Sequence, residues 1–150
     1  MRYLDILDCT ISDGEGIRVS LYVSGCSHHC EGCHNAESWD PENGKIFTNE
    51  TMSKLMNMLN RDYIDGLTLT GGDPLFPGNR ETILKIVKHV KELLPNKNIW
   101  LYTGYKYKEI SNLEIMDYID VVVDGEYDAS KRDITLPFRG SKNQNIIRLT

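Results

Sequence analysis

The sequence predicts an α/β fold, an incomplete and open parallel β/α barrel whose first core strand delivers the chain into a cysteine-rich loop. Three observations carry this. Runs of β-branched residues with a period of two alternate with runs at helical spacing, and the connections are long enough for right-handed parallel crossovers. Four core strands plus end pieces make a sheet too short to close. Every unusual motif follows a strand, on the carboxyl edge where such sheets hold their ligands. With 150 residues the chain is expected to form one domain spanning 1–150, large enough for a core without disulfides.

In order, residues 3 to 8 read as a short leading strand, and Ser12-Asp13-Gly14-Glu15-Gly16 reads as a loop. Ile17, Val19, Leu21 and Val23 alternate through the first core strand. It runs into Gly25-Cys26-Ser27-His28-His29-Cys30-Glu31-Gly32-Cys33-His34. Asn35 to Lys45, with Pro41 and Gly44, shows no periodicity and is expected to be irregular. Thr48 is a good helix N-cap, with Glu50 in the first turn and Met52, Leu55, Met56 and Leu59 on one face.

Gly66 to Thr70 is a short strand that breaks into Gly71-Gly72-Asp73-Pro74. A helix is predicted from Arg80 to Leu94, stopped by Pro95, then a strand from Asn98 to Thr103 stopped by Gly104. Ile110, Leu113 and Met116 suggest a helix over Lys106 to Tyr118. Asp120 to Asp124, apolar between its carboxylates, reads as a strand buried on both faces. Phe138 to Asn145 is polar and loop-like before a short final strand at Ile146, Ile147 and Leu149.

Composition is that of an ordinary water-soluble chain, 40% hydrophobic and 26% charged. Seventeen Lys plus Arg against 22 Asp plus Glu give a formal charge of -5, which offers nucleic acid no electrostatic attraction. No apolar run is long enough to span a bilayer, and acidic residues interrupt the place of a signal peptide's apolar region, so a cytoplasmic location is expected. Four cysteines in such a chain argue for metal or redox chemistry over disulfides. Cys9 stands apart and reads as a small buried residue beside the first strand.

Cys26, Cys30 and Cys33 lie within eight residues, too close to spread over a helix face or strand, so they should line a loop around a soft-metal centre. Zinc would need a fourth ligand, from His28, His29 or Cys9, since His34 diverges from Cys33. A 4Fe-4S cluster would instead leave one iron without a protein ligand, open to a cofactor. On the next strand-to-helix turn, Gly71 and Gly72 let backbone approach a ligand, and Asp73 can receive a cationic amine.

The sequence resembles the radical S-adenosylmethionine superfamily and, within it, the activating proteins of anaerobic ribonucleoside-triphosphate reductases. The matching stretches cover nearly the whole chain: Val23 to Cys26 with Cys30 and Cys33, His34-Asn35, Trp39, Thr70 to Leu75, Trp100 to Tyr105, Val123-Asp124-Gly125 and Arg139 to Gln144. The resemblance implies a 4Fe-4S cluster on Cys26, Cys30 and Cys33, with S-adenosylmethionine chelating the open iron. Thr70, Gly71, Gly72 and Asp73 would steady the cofactor's amino group. The superfamily often has an aromatic residue where this chain has Gly32, so Gly32, Cys33 or the His34 ring would border the adenine; Asp124 would face the cofactor.

The implied reaction is reductive cleavage of S-adenosylmethionine, followed by formation of a glycyl radical on the reductase large subunit. A low-potential donor such as a flavodoxin would supply the electron, and no side chain need act as acid or base. An open sheet would admit a loop of another protein. Two other readings stay open: a small radical enzyme acting on a metabolite, in the manner of the short carboxy-deazaguanine synthases, and a non-catalytic zinc-stabilised interaction module. Arg139 to Gln144 could face cofactor or partner, or be a polar turn.

Overall fold

A computed structural model describes residues 1–28, 39–133 and 135–150. The chain is mixed α/β, with its elements in the order β1 (Arg2–Thr10), β2 (Arg18–Val23), β3 (Lys45–Ile46), α1 (Asn49–Leu59), β4 (Gly66–Gly71), α2 (Arg80–Leu93), β5 (Asn98–Tyr102), α3 (Tyr107–Ile110), β6 (Val121–Asp124) and β7 (Asn145–Arg148). Among the described residues these strands form one sheet, ordered β3-β1-β2-β4-β5-β6-β7. The four central strands β2, β4, β5 and β6 are parallel, and β3, β1 and β7 add antiparallel edges. The central strands and both long helices follow the sequence reading. Among the described residues no helix is long and apolar enough to cross a membrane.

The pleat sorts side chains by parity. Odd positions of β2, β4, β5 and the even Val122 of β6 point to one face, where Val19, Leu21, Val23, Leu67, Leu69, Ile99, Leu101 and Val122 pack with Leu55 and Leu59 of α1 and Ile83, Ile86, Val87 and Val90 of α2. The other face is more polar. Ser20, Thr68, Trp100 and Val121 share one register row across it, and Tyr22 registers with Thr70. Phe138 and Ile146 cover Trp100, Val121 and Val123 there.

Arg18 is fully buried at the base of this second face. Its Nε donates to Thr68 Oγ1 at 2.7 Å, and its terminal nitrogens donate to the carbonyls of Glu15 at 2.9 Å and Leu67 at 2.8 Å. Its guanidinium lies 5.6 Å from the Trp100 ring centroid. Burial pulls its pKa down to about 10, so it stays cationic at neutral pH. A buried cation held by carbonyls, a hydroxyl and a ring is an anchor between β2, β4 and the loop before β2.

Four elements depart from the sequence reading. The leading strand extends to Arg2–Thr10 and runs antiparallel to β2. Ile17 lies outside β2 because its N–H donates to Asp65 Oδ2 at 2.8 Å instead of continuing the ladder. Lys45 and Ile46, expected to be irregular, form β3 by pairing with Tyr3 and Arg2. The single helix expected over Lys106 to Tyr118 is two pieces, α3 and a 3-10 turn at Glu114–Tyr118, with Leu113 extended at φ −71° and ψ 138° between them. Ser111 and Asn112 sit at the break, residues that compete for backbone hydrogen bonds and weaken a helix interior.

Candidate cofactor site

The carboxyl ends of the parallel strands are tied together by one buried carboxyl group. Asp73, fully buried just past β4, accepts at Oδ1 from Leu75 N–H at 2.8 Å and from Thr103 Oγ1 at 2.9 Å. Its Oδ2 accepts from Gly104 N–H at 3.0 Å and pairs with His28 Nε2 at 2.9 Å. One side chain thereby joins the turn after β4, the end of β5 and the segment that leaves β2. The backbone repeats the tie: Gly72 N–H donates to Val23 O at 2.8 Å and Asp73 N–H to Gly25 O at 2.7 Å. Asn79, also buried, donates from Nδ2 to Ser24 O at 2.7 Å and Asp73 O at 3.2 Å.

The glycines are where the sequence puts them for steric reasons. Gly71 has φ +108°, and a Cβ there would strike the backbone of Val23 in the neighbouring strand. A Cβ on Gly104 would strike the His28 ring. Because Gly104 is bare, the imidazole packs against it and edge-on to Tyr105, with ring centroids 4.6 Å apart. The Asp73 hydrogen bond, against the opposing effect of burial and helped by the charges of Asp73 and Glu126, holds the His28 imidazole above its ordinary pKa.

Cys26 follows β2 and its N–H donates to Trp39 O at 3.2 Å, which fixes where the described chain re-enters after the cysteine loop. Cys26 lines a hollow of about 140 Å³ with Thr70, Gly71, Gly72, Tyr102, Thr103 and other strand-end residues. His28, Gly104, Gly125 and Tyr127 border both this hollow and a wider one of about 1070 Å³, lined also by Tyr105, Asp124 and Asn145. Of the predicted site residues, Cys26, Thr70, Gly71 and Gly72 thus meet at one hollow. Asp73 lies behind it with both oxygens engaged by the protein. Asp124 faces the wider hollow while its Oδ2 accepts from Tyr107 N–H at 2.8 Å and its Oδ1 from Asn145 N–H at 3.2 Å. Cys30, Gly32, Cys33 and His34 lie outside the described residues.

Arg139 to Gln144 is a clasp. Gln144 Oε1 accepts from Gly140 N–H at 2.9 Å and Ser141 N–H at 3.1 Å, and its Nε2 donates to Gly125 O at 3.1 Å. Gln144 also reaches the smaller hollow. Cys9, expected to be buried, is exposed on β1. Thr10 pairs with Arg18 at the start of β2, so Cys9 and Cys26 sit at opposite ends of a six-residue strand, about 20 Å apart at the usual rise. That separation removes Cys9 as a ligand partner for Cys26.

Sequence reasoning missed His28, Asn79 and the role of Thr103. Thr103-Gly104 was visible as a strand end, but nothing in sequence links it to an aspartate 30 positions earlier. His28, which the sequence offers only as one possible fourth ligand to zinc, has a side chain that is 12% exposed and bonded to Asp73.

The donor types present fit an iron-sulfur centre beside an organic cofactor: a cysteine sulfur at a strand end, next to a glycine turn that lets backbone approach a ligand. Over residues 12–147 the chain matches the family model described as a 4Fe-4S single cluster domain. It is 48% identical over 146 residues to the anaerobic ribonucleoside-triphosphate reductase-activating protein of Enterobacteria phage T4, covering 97% of this chain and 93% of that one. The protein of the same name from Haemophilus influenzae is 43% identical over 152 residues, with 99% and 98% covered. That from Escherichia coli (strain K12) is 39% identical over 153 residues, with 99% of each covered. This chain therefore belongs to the family of anaerobic ribonucleoside-triphosphate reductase-activating proteins, built on a 4Fe-4S single cluster domain.

Proposed function

We propose that this protein activates an anaerobic ribonucleoside-triphosphate reductase as a radical S-adenosylmethionine enzyme, on a sheet curved as an incomplete barrel. The observation that carries the reading is the meeting of Cys26 with Thr70, Gly71 and Gly72 at one hollow, in a chain matched end to end by activating proteins. Cys26, Cys30 and Cys33 would hold a 4Fe-4S cluster. When bound, the cluster and S-adenosylmethionine would supply the one-electron reductive chemistry needed to form a glycyl radical on the reductase, with a low-potential donor such as a flavodoxin providing the electron.

The chain's own residues supply orientation. The Gly71-Gly72 turn gives backbone oxygen access to the cofactor's amino group, and Asp73 holds that turn in place through Leu75, Thr103, Gly104 and His28. The wider hollow beyond Gly104 and Gly125 suits the remaining length of an extended nucleoside, with Asp124 at its wall. Gly32, Cys33 and His34 complete the proposal on the cysteine-loop side.

The test is anaerobic reconstitution. About four irons per chain with matching sulfide are expected, and Cys26→Ala should hold neither. The reconstituted protein with reductant should convert S-adenosylmethionine to methionine and 5′-deoxyadenosine, and electron paramagnetic resonance should show a glycyl radical on added reductase. A single zinc with no sulfide would overturn the reading in favour of a zinc-stabilised module, and cleavage indifferent to the reductase would favour a metabolite substrate.

A further inference from the structure

The sequence of the cysteine loop gives it little means of seating itself on the sheet. Ser27-His28-His29-Cys30-Glu31-Gly32-Cys33-His34 has no apolar side chain besides its cysteines, so burial of hydrocarbon cannot fix it. A cluster would hold the three sulfurs to one another, which leaves the spacing between loop and sheet to the protein. Backbone ties reach Gly25, whose carbonyl accepts from Asp73 N–H at 2.7 Å, and Cys26, whose N–H donates to Trp39 O at 3.2 Å. Two residues further on, His28 adds a tie through its side chain.

Three segments grip the imidazole. Its Nε2 lies 2.9 Å from Asp73 Oδ2 in the turn after β4, and its Nδ1 lies 3.4 Å from Glu126 Oε2 beyond β6. The ring stands edge-on to Tyr105 in the segment after β5, and Tyr105 is backed in turn by the Arg80 guanidinium, 5.5 Å from its centroid. Gly104 completes the seat, because the three atoms nearest to a Cβ placed there all belong to the His28 ring. Asp73 does not depend on the imidazole, since Leu75, Thr103 and Gly104 also donate to it. The bond therefore serves the loop more than the carboxylate.

Asp73 directly follows Gly72, so the imidazole joins the loop that carries the metal-binding sulfurs to the turn that would meet the cofactor's amino group. A ligand held at both places binds best when their spacing is fixed beforehand, because less order must then be imposed on binding. We infer that His28 is a positioning residue that sets the spacing between the cysteine loop and the Gly71-Gly72 turn, and thereby the affinity for S-adenosylmethionine. Its ring borders both hollows, where a shift of the loop would be felt. The inference rests on the function proposed above.

The test titrates S-adenosylmethionine calorimetrically into the full chain, reconstituted anaerobically and kept without reductant so that nothing is cleaved. His28→Ala should load iron and sulfide as the wild type does, because all three cysteines remain, and should release iron to a chelator faster. Its dissociation constant for S-adenosylmethionine should rise about tenfold, equivalent to about 1.4 kcal/mol. His28→Gln, whose side-chain amide can donate to Asp73 in place of Nε2, should recover most of that loss. Gly104→Ala should weaken binding to a similar degree by displacing the ring with His28 itself intact, since Gly104 has no positive φ that an alanine would strain. The double variant should bind no more weakly than His28→Ala, because the space its Cβ needs is then free. An unchanged constant in His28→Ala, a glutamine variant as weak as the alanine one, or additive losses in the double variant would each overturn the inference and leave the proposed function standing. Loss of iron from His28→Ala with unchanged affinity per loaded cluster would assign the residue to holding the metal alone and also overturn it. A wild-type protein that holds a single zinc and binds no S-adenosylmethionine overturns the function and this inference together.

Discussion

Asp73 shows how a residue can be placed correctly by sequence and still be given the wrong neighbours. The Gly71-Gly72-Asp73 turn was legible from two glycines after a short strand. The use of the carboxyl group was not, because its donors His28, Thr103 and Gly104 lie 45, 30 and 31 positions away. Asp73→Asn keeps the shape but turns one acceptor oxygen into a donor facing Thr103, Gly104 or Leu75. At least one buried donor is then left without an acceptor, a loss of about 1–3 kcal/mol. A lower midpoint in chemical denaturation should report it, together with reduced iron retention, since the same carboxyl group holds His28 of the cysteine segment. Equal midpoints for the two proteins would show that the strand ends do not depend on this node.

Elements were legible where local chemistry decides them. The period of two found β2, the short runs found β4, β5 and β6, and helical spacing found α2, because burial on one face requires those patterns. Element β3 escaped because two residues carry no period; it exists only through its pairing with β1. The segment after β5 was overread as one helix because Ile110, Leu113 and Met116 keep helical spacing through a break at Ser111 and Asn112. Thr48 gives the cleanest local case. Its Oγ1 accepts from Thr51 N–H at 3.2 Å, and Thr51 Oγ1 accepts from Thr48 N–H at 3.1 Å, closing a capping box at the start of α1. Thr48→Ala should lower unfolding free energy by about 1 kcal/mol, while Thr48→Ser should lose only a fraction of that. Urea titrations of the three proteins decide it, and an alanine variant as stable as wild type would show that packing alone starts the helix.

Across the whole molecule, the two ends of the parallel sheet do different work. The carboxyl end gathers Cys26, the glycine turn and Asp73, and the amino end is closed by Asp120. That side chain, 17% exposed, accepts from Lys91 Nζ of α2 at 2.7 Å, from Ile99 N–H of β5 at 2.8 Å and from Thr150 Oγ1 at 2.9 Å. Burial alone would push its pKa up, but the hydrogen bonds from Lys91, Ile99 and Thr150 outweigh it and hold the group below the ordinary aspartate value of 3.8. A depressed carboxylate stabilises the fold fully above its unfolded value and loses that contribution as the pH falls through the lower folded value. Asp120→Asn should therefore be less stable than wild type at neutral pH by about 1–2 kcal/mol. The two stability curves should converge as the pH drops below 3.8 and Asp120 takes up its proton. Iron content and S-adenosylmethionine cleavage at neutral pH should stay at wild-type levels, because Asp120 lies at the far end of β6 from Asp124 and the hollows. Denaturation midpoints measured across that pH range, with iron assayed on the same samples, test both halves: a gap that stays constant with pH removes the linkage, and iron lost in step with stability removes the separation of the two ends.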